Sequence, residues 1–253
     1  MKTLFVGQNC IHLKSIDSTN SYASQLIGDI KPVEGTLIYT FEQQNGRGQR
    51  GNTWESEPNK NVASSFILHP SFLHVNKQFS LTKIISLAVA DVMAELLKPS
   101  DKTSAIKIKW PNDIYVGTKK IAGILIENTL RDSYIQHSVI GIGINCNQLK
   151  FNAGINATSI ALLNNQEIDL MVVIEKLSEF IEARYLQLKA SKLESIDTAY
   201  LAHLYQFNEW RNYTAGNQLF EGKIIGISIA GKLQVQLKTS ETKEFDLKEI
   251  KFV

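Results

Sequence analysis

Apolar positions recur with two different periods along the chain, and the switching between them predicts an α+β fold. Over residues 77–98, Phe79, Ile84, Leu87, Ala88, Val92 and Leu96 recur at helical spacing, and Pro99 stops the run. A second helix is predicted over 169–189. Asp169 caps it, and Val172, Val173, Leu177, Phe180, Ile181, Tyr185 and Leu188 form its apolar stripe. A shorter helix over 19–27 takes Asp17 or Ser18 as its N-cap, with Gly28 just past its end, and residues 196–207 also read as helical. Strands are predicted where the period falls to two or where β-branched residues cluster: IHLKS (11–15), TLIYTFEQ (36–43), NVASSFILHP (61–70), AIKIKW (105–110), KIAGILIENTL (120–130) and SYIQHSVIGIGINCN (133–147). The last two form a hairpin that turns near Arg131 and Asp132.

After Trp210 the pattern changes to short alternating runs, QLFEGKIIGISI, KLQVQLKT and KEFDLKEIKFV, with turns at 230–232 and 239–241. They predict a small antiparallel barrel or sheet, too small to be very stable alone. The expected division is 1–214 and 215–253, with the boundary near 212–217. One segment fits neither period: residues 44–60 are polar and glycine-rich. Structureless segments of that length are uncommon inside a compact domain and are usually functional or mobile.

Composition narrows the class. The 253 residues are 43% hydrophobic and 21% charged, as in globular proteins, which excludes a disordered or fibrous chain. No apolar run reaches the ~18 residues of a membrane helix, so no membrane partner is expected. A net charge of +2 argues against a dedicated DNA-binding protein. Cys10 and Cys146 make no disulfide framework, and no CxxC or Cys/His cluster suggests zinc. The N-terminal apolar stretch is too short for a signal peptide, and a reducing cytoplasm is the expected location.

Two glycine motifs mislead. Gly46 to Gly51 matches GxGxxG, but NTWESEPNKN follows instead of a helix, so no helix N-terminus is available for a pyrophosphate. Gly226 to Lys232 has P-loop spacing, but Leu233 replaces the Ser/Thr and the context is a β-hairpin. The first loop has a different chemistry. Arg47 and Arg50 sit among three glycines beside Trp54. Arginine grips phosphate or carboxylate in a bidentate way, glycine allows close backbone approach, and Trp54 offers a stacking face. That suits an anionic, nucleotide-like ligand under a closing loop; a flexible surface loop is the alternative. In KWPNDI (109–114), Lys109, Asn112 and Asp113 stand at a strand end, and Lys120 could meet Asp113 across a hairpin turning at 116–119. Such a lysine stabilises negative charge developing at an acyl-phosphate centre, and the carboxylate can hold Mg2+ on nucleotide phosphates. A surface hairpin with charged tips is the alternative. Gly141, Gly143 and Asn145 fit either a strand that something approaches closely or a tightly packed core strand. The five histidines are scattered, and no Ser-His-Asp or Cys-His arrangement is found.

DSTN (17–20), EQQNGRGQRGNTW (42–54), KWPNDI, KIAGILIE (120–127) and GIGINCN (141–147), in that order, resemble a biotin–protein ligase over nearly the whole chain. The resemblance implies a mixed or antiparallel sheet with flanking helices, the class II synthetase-like biotin/lipoate ligase fold, with an SH3-like barrel after about 215. It implies that biotin and ATP with Mg2+ give biotinyl-5′-AMP, whose acyl group passes to a lysine of a biotin carboxyl carrier domain. Carried over by position, Ser18, Thr19, Asn20, Gln43, Gly46, Arg47, Gly48, Gln49, Lys120 and Gly123 would face biotin. Arg47, Arg50, Trp54, Asn112, Lys120 and Asn145 would serve the nucleotide. Lys120, Asp113 and Arg47 would carry the chemistry, with Asp113 toward Mg2+. Many family members have arginine where Gln49 stands, and that arginine is linked to retention of the intermediate. The winged helix of family members that repress transcription has no counterpart here, so a ligase-only form is expected; a homodimer is left open. Two other readings stay open: a lipoate or octanoyl transferase of the same superfamily, and a non-enzymatic nucleotide- or nucleic-acid-binding module.

Overall fold

A computed structural model describes residues 1–98 and 106–253, and nothing is described of the Arg50 side chain. Pro99 and Ala105, expected to stop a helix and start a strand, lie outside the described residues. In chain order the elements are β1 (Cys10–His12), α1 (Thr19–Asp29), β2 (Thr36–Thr40), β3 (Gly46–Arg47), β4 (Thr53–Trp54), β5 (Val62–Leu68), α2 (Phe79–Leu96), β6 (Ile106–Lys109), β7 (Asp113–Val116), β8 (Lys119–Arg131) and β9 (Tyr134–Ile144). Then follow α3 (Ile160–Asn164), α4 (Leu170–Lys189), α5 (Leu193–His203), β10 (Trp210–Ala215), β11 (Gln218–Ile227), β12 (Leu233–Leu237), β13 (Thr242–Phe245) and β14 (Ile250–Phe252).

The first sheet has seven strands in the order β1-β2-β5-β9-β8-β7-β6. Among the described residues only the β1–β2 pair is parallel, so the sheet is mixed, one of the two arrangements that the resemblance implies. Period-two alternation splits its residues between two faces. Leu37, Tyr39, Phe66, Leu68, Ile140, Ile142 and Ile144 join the main core with α2 and α4. Ile38, Ile67 and Val139 point the other way and pack on Ala23 of α1. Helix α1 covers only part of that second face, and the uncovered part is where the site lies.

Helix α1 starts where Ser18 accepts a hydrogen bond from the Ser21 N–H, the expected cap. It runs through Gly28 to Asp29, one turn-closing bond (Ile30 N–H to Leu26 O, 2.9 Å) carrying it past the glycine expected to end it. Asp169 caps α4 as expected, and the β8–β9 hairpin turns at Asp132, which adopts φ 56°. Helix α5 starts earlier than expected and ends at His203, before Gln206 and Asn208 take positive φ. Residues 44–60 correct the expectation of a segment without secondary structure: β3 and β4 pair through Gly46–Trp54 and Arg47–Thr53. A Cβ on Gly46 would overlap the Trp54 carbonyl, so this ribbon requires glycine there.

The second sheet is antiparallel with five strands, β13-β12-β11-β10-β14. Its pairing takes in Trp210–Ala215, upstream of the expected boundary at 215. Tyr213, Ile224, Leu233, Val235 and Ile250 belong to the same core as the first sheet. Residues 204–208 stitch the two together: Leu204 bridges to Ile108, Phe207 to Ile224, and the Tyr205 N–H donates to the Ile108 carbonyl at 2.9 Å. The P-loop-like run is the β11–β12 hairpin, as expected.

Candidate active site

Register places one row of residues across the first sheet: Thr40, Ala63, Gly143, Gly123, Asp113 and Lys109 stand directly opposite one another on β2, β5, β9, β8, β7 and β6. Directly opposed residues share a face. The middle of the row therefore has almost no side chain, and its end carries a carboxylate and an ammonium. The missing side chains are filled from above. A Cβ on Gly143 would overlap the Trp54 indole, and one on Gly123 would press it at 3.1 Å. Two residues along the strand, a Cβ on Gly141 would overlap Asn20 Oδ1. The alternating glycines of GIGIN thus make a floor that other groups approach closely, while Ile142 and Ile144 fill the core beneath.

The cavity above this floor has a volume of ≈ 260 Å3. At one end the start of α1 supplies neutral hydrogen-bonding groups. Gln43 Oε1 accepts from the Thr19 N–H at 2.9 Å, and Ser65 Oγ donates to Asn20 Oδ1 at 2.6 Å. Asn20 Nδ2 donates to Glu127 Oε2 at 2.8 Å. At the other end Lys120 Nζ is 2.7 Å from Asp113 Oδ1, the pairing expected across the hairpin. Lys120 Nζ also lies 5.5 Å from the Trp54 ring centroid. Lys109 stands beside them. Burial pulls its pKa below the usual lysine value, Asp113 raises it, and Lys120 lowers it again. The Trp54 Nε1–H is buried and has no acceptor among the described residues.

The β3–β4 ribbon closes the cavity from above. Gly48, Gln49 and Trp54 line it. Arg47 lines it too and reaches across to Glu127, Nη2 to Oε1 2.8 Å. About half of the Arg47 side chain is exposed, so this pair stabilises the ribbon by only ~0–1 kcal/mol and an anionic ligand can displace it. Ser18, Thr19, Asn20, Gln43, Asn112, Asp113, Lys120 and Gly123 all line the same cavity.

Two expected residues stand elsewhere. Gly46 lies in a wider depression beside the ribbon. Asn145 is buried outside the cavity lining; its Nδ2 donates to the Thr158 carbonyl at 3.0 Å and its N–H to the Ile121 carbonyl at 2.9 Å. The side chain of Arg50 lies outside the described atoms. Asn112 donates its side-chain amide to the Ile124 carbonyl at 2.5 Å and accepts at its backbone carbonyl from the Ile124 N–H at 3.0 Å, next to the Asp113–Gly123 pair of β7 and β8. Sequence reasoning missed Glu127, the partner of both Arg47 and Asn20, and Leu247, Ile250 and Phe252, which bring the second sheet to the cavity.

The small antiparallel sheet shares its core with the mixed sheet, and the cavity lies between the glycine floor and the glycine-arginine flap. Residues 12–145 match the biotin/lipoate A/B protein ligase family, and the chain belongs to it. The bifunctional ligase/repressor BirA of Bacillus spizizenii is 30% identical over 242 residues, 93% of this chain and 72% of that protein. A biotin–[acetyl-CoA-carboxylase] ligase of Paracoccus denitrificans is 32% identical over 133 residues, 53% of this chain and 52% of that protein. Among solved structures, the biotin protein ligase of Aquifex aeolicus in complex with biotin and ATP superposes with a TM-score of 0.78 at 25% identity, over 97% of this chain and all of that one.

Proposed function

We propose that the protein is an ATP-dependent biotin–protein ligase, which activates biotin as biotinyl-5′-AMP and passes the acyl group to a lysine of a biotin carboxyl carrier domain. One observation carries the reading: a floor without side chains runs from a neutral hydrogen-bonding cluster to a lysine-rich end. The neutral end, Ser18, Thr19, Asn20 and Gln43, suits a ureido ring. The charged end suits two reactants that are both anions.

A carboxylate is a poor acyl donor and must become a mixed anhydride before an amine can take its acyl group. Lys120 is the donor beside the point where the carboxylate attacks the α-phosphorus, and its positive charge offsets the negative charge gathering there. Arg47, released from Glu127, folds onto the same oxygens. Among the described residues, Asp113 is the one carboxylate in the cavity lining. Among the described residues no cluster of three or more metal-binding side chains exists, so this donor set fits an ion that arrives on the nucleotide and keeps most of its shell as phosphate and water. Mg2+ would there neutralise phosphate charge, with Asp113 as its protein ligand. The ribbon excludes water from an anhydride that water would hydrolyse.

The deciding test is pyrophosphate release from ATP and Mg2+ with biotin or with lipoate as the acid. Release with biotin and subsequent labelling of a carrier domain is expected; release with lipoate alone rejects the reading.

Two variants probe the flap and the floor. Gln49 lines the cavity without a charge. Gln49→Arg is expected to slow the escape of biotinyl-AMP by about 10-fold, the effect of one charge-assisted hydrogen bond in a partly solvated site. Equal escape rates, measured by quench after rapid dilution, would show the position to be irrelevant to retention. Gly143→Ala forces the Trp54 indole off the floor. Misplacement on that scale is expected to raise the KM for ATP by about 10-fold or more with little change in melting temperature. An unchanged KM would mean that Trp54 does not border the nucleotide.

A further inference from the structure

Lys109 stands in an aromatic cage built from three distant parts of the chain. Its Nζ is 5.1 Å from the ring centroid of Tyr115 on β7, 5.9 Å from that of Tyr205 after α5, and 4.9 Å from that of Phe252 on β14. The rings also pack on one another, Tyr115 on Tyr205 at 5.7 Å and Tyr205 on Phe252 at 6.2 Å. Phe252 is held from behind by the fully buried Tyr213, edge-on at 5.5 Å. A second tie fixes the residue after Lys109: the Trp110 Nε1–H donates to the Gly231 carbonyl at 2.9 Å, at the tip of the β11–β12 hairpin. Both ties come from the second sheet, and both Lys109 and Phe252 line the cavity.

We infer that Phe252, with Tyr205 and Tyr115, positions Lys109 as a further nucleotide-binding cation, so that the second sheet completes the phosphate end of the cavity. Ring faces attract an ammonium without neutralising it. The neighbouring carboxylate, Asp113, is engaged by Lys120 at 2.7 Å, and among the described residues Lys109 forms no ion pair of its own. Burial disfavours its charge and holds its pKa below the usual lysine value, although Asp113 opposes that shift. Burial also keeps the Tyr115 hydroxyl protonated, its pKa pushed up to about 12, so no phenolate balances the charge. A partly desolvated cation that lines a cavity, and whose nearest carboxylate is held by another lysine, gains from an added anion, and the nucleotide's phosphate chain is the polyanion of the proposed reaction. The inference rests on ATP being one of the two reactants. Phe252 acts through Lys109 and is a positioning residue.

The test compares wild type, Phe252→Leu, Phe252→Tyr, Lys109→Met and the Phe252→Leu/Lys109→Met double variant. Leucine keeps the apolar contact with Tyr213 and removes the ring face; melting curves confirm that each variant is folded. ATP affinity is measured directly by calorimetry with Mg2+, with and without biotin, and pyrophosphate release gives kcat and both KM values. Phe252→Leu is expected to weaken ATP binding and raise the KM for ATP by about 3- to 30-fold, the range of one desolvated cation–π contact. The KM for biotin should stay within about 2-fold, Phe252→Tyr should restore ATP affinity, and leucine should add nothing once Lys109 is methionine. Unchanged ATP affinity in Phe252→Leu, or an effect that persists in full in the Lys109→Met background, overturns the inference. Failure of wild type to release pyrophosphate with biotin would instead reject the proposed function, while the ATP affinities would still judge the cage.

Discussion

Lys120→Ala is expected to slow pyrophosphate release by at least ~10²-fold, the loss that follows removal of one preorganised donor to a developing negative charge. The backbone at this position is held without the side chain. The Lys120 N–H donates to the Asn156 carbonyl at 3.0 Å, and its carbonyl accepts from the Thr158 N–H at 2.9 Å. The variant should therefore fold normally, with an unchanged melting curve. The loss has two sources. The reacting oxygens lose their donor, and Asp113, now without its partner at 2.7 Å, presents a bare carboxylate to two anionic substrates. The second source predicts a further result: in the absence of Mg2+, where Asp113 has no metal to hold, Lys120→Ala/Asp113→Asn should bind free ATP better than Lys120→Ala alone. A kcat for Lys120→Ala within a few-fold of wild type would remove the role assigned to this lysine. A rise in KM at unchanged kcat would make it a binding group only.

Much of the fold is legible because each long element repeats its pattern often enough to be read. Helix α2 shows its stripe over five turns, and the β8–β9 hairpin carries period-two alternation on both arms. The floor is legible only in part: the alternation of GIGIN separates isoleucines from glycines, but the pattern alone fits a packed core strand as well as the cavity floor that the glycines form. The same alternation continues on β8 through Gly123, Leu125 and Glu127, which would have put Glu127 on the site face; its pairing with Arg47 and Asn20 could not be read, because those residues are 80 and 107 positions away. The β3–β4 ribbon is too short to show any period, each strand being two residues long. Asn145 illustrates the reverse limit. The resemblance implies a nucleotide contact for it; here β9 ends at Ile144, and the Asn145 amide donates to the Thr158 carbonyl, a partner 13 positions away that no local pattern shows. The part of the site supplied by the second sheet was hidden for a similar reason: Phe252 meets Lys109 only through tertiary packing.

The largest stability effect is expected far from the cavity, at Glu182 on α4. Its carboxylate is buried, with 7% of the residue exposed, and it accepts hydrogen bonds from three consecutive backbone N–H groups: Leu4 at 2.8 Å, Phe5 at 2.8 Å and Val6 at 3.0 Å. This one side chain fixes the N-terminal segment, whose Val6 side chain enters the core and whose Gly7 N–H continues to the Gly35 carbonyl at 2.8 Å. Glu182→Ala leaves those donors without an acceptor. Leu4 is largely exposed and can turn to water, whereas Val6 is fully buried and cannot. Hydrogen bonds to a charged acceptor contribute ~1.5–3 kcal/mol each, and an orphaned buried donor costs ~1–3 kcal/mol. With partial relief by solvent at Leu4, the expected loss is about 2–4 kcal/mol, seen as a lower denaturation midpoint at constant m-value and a fall in Tm of roughly 5–10 °C. Glu182→Gln should fall between alanine and wild type, because its amide keeps one acceptor but turns two N–H groups toward the same donors. None of these residues lines the cavity, so ATP binding and pyrophosphate release below the transition should match wild type. An alanine variant with wild-type midpoint would mean that water replaces the carboxylate without loss; an equal fall in midpoint and in activity would mean that the N-terminal segment and the site are one cooperative unit.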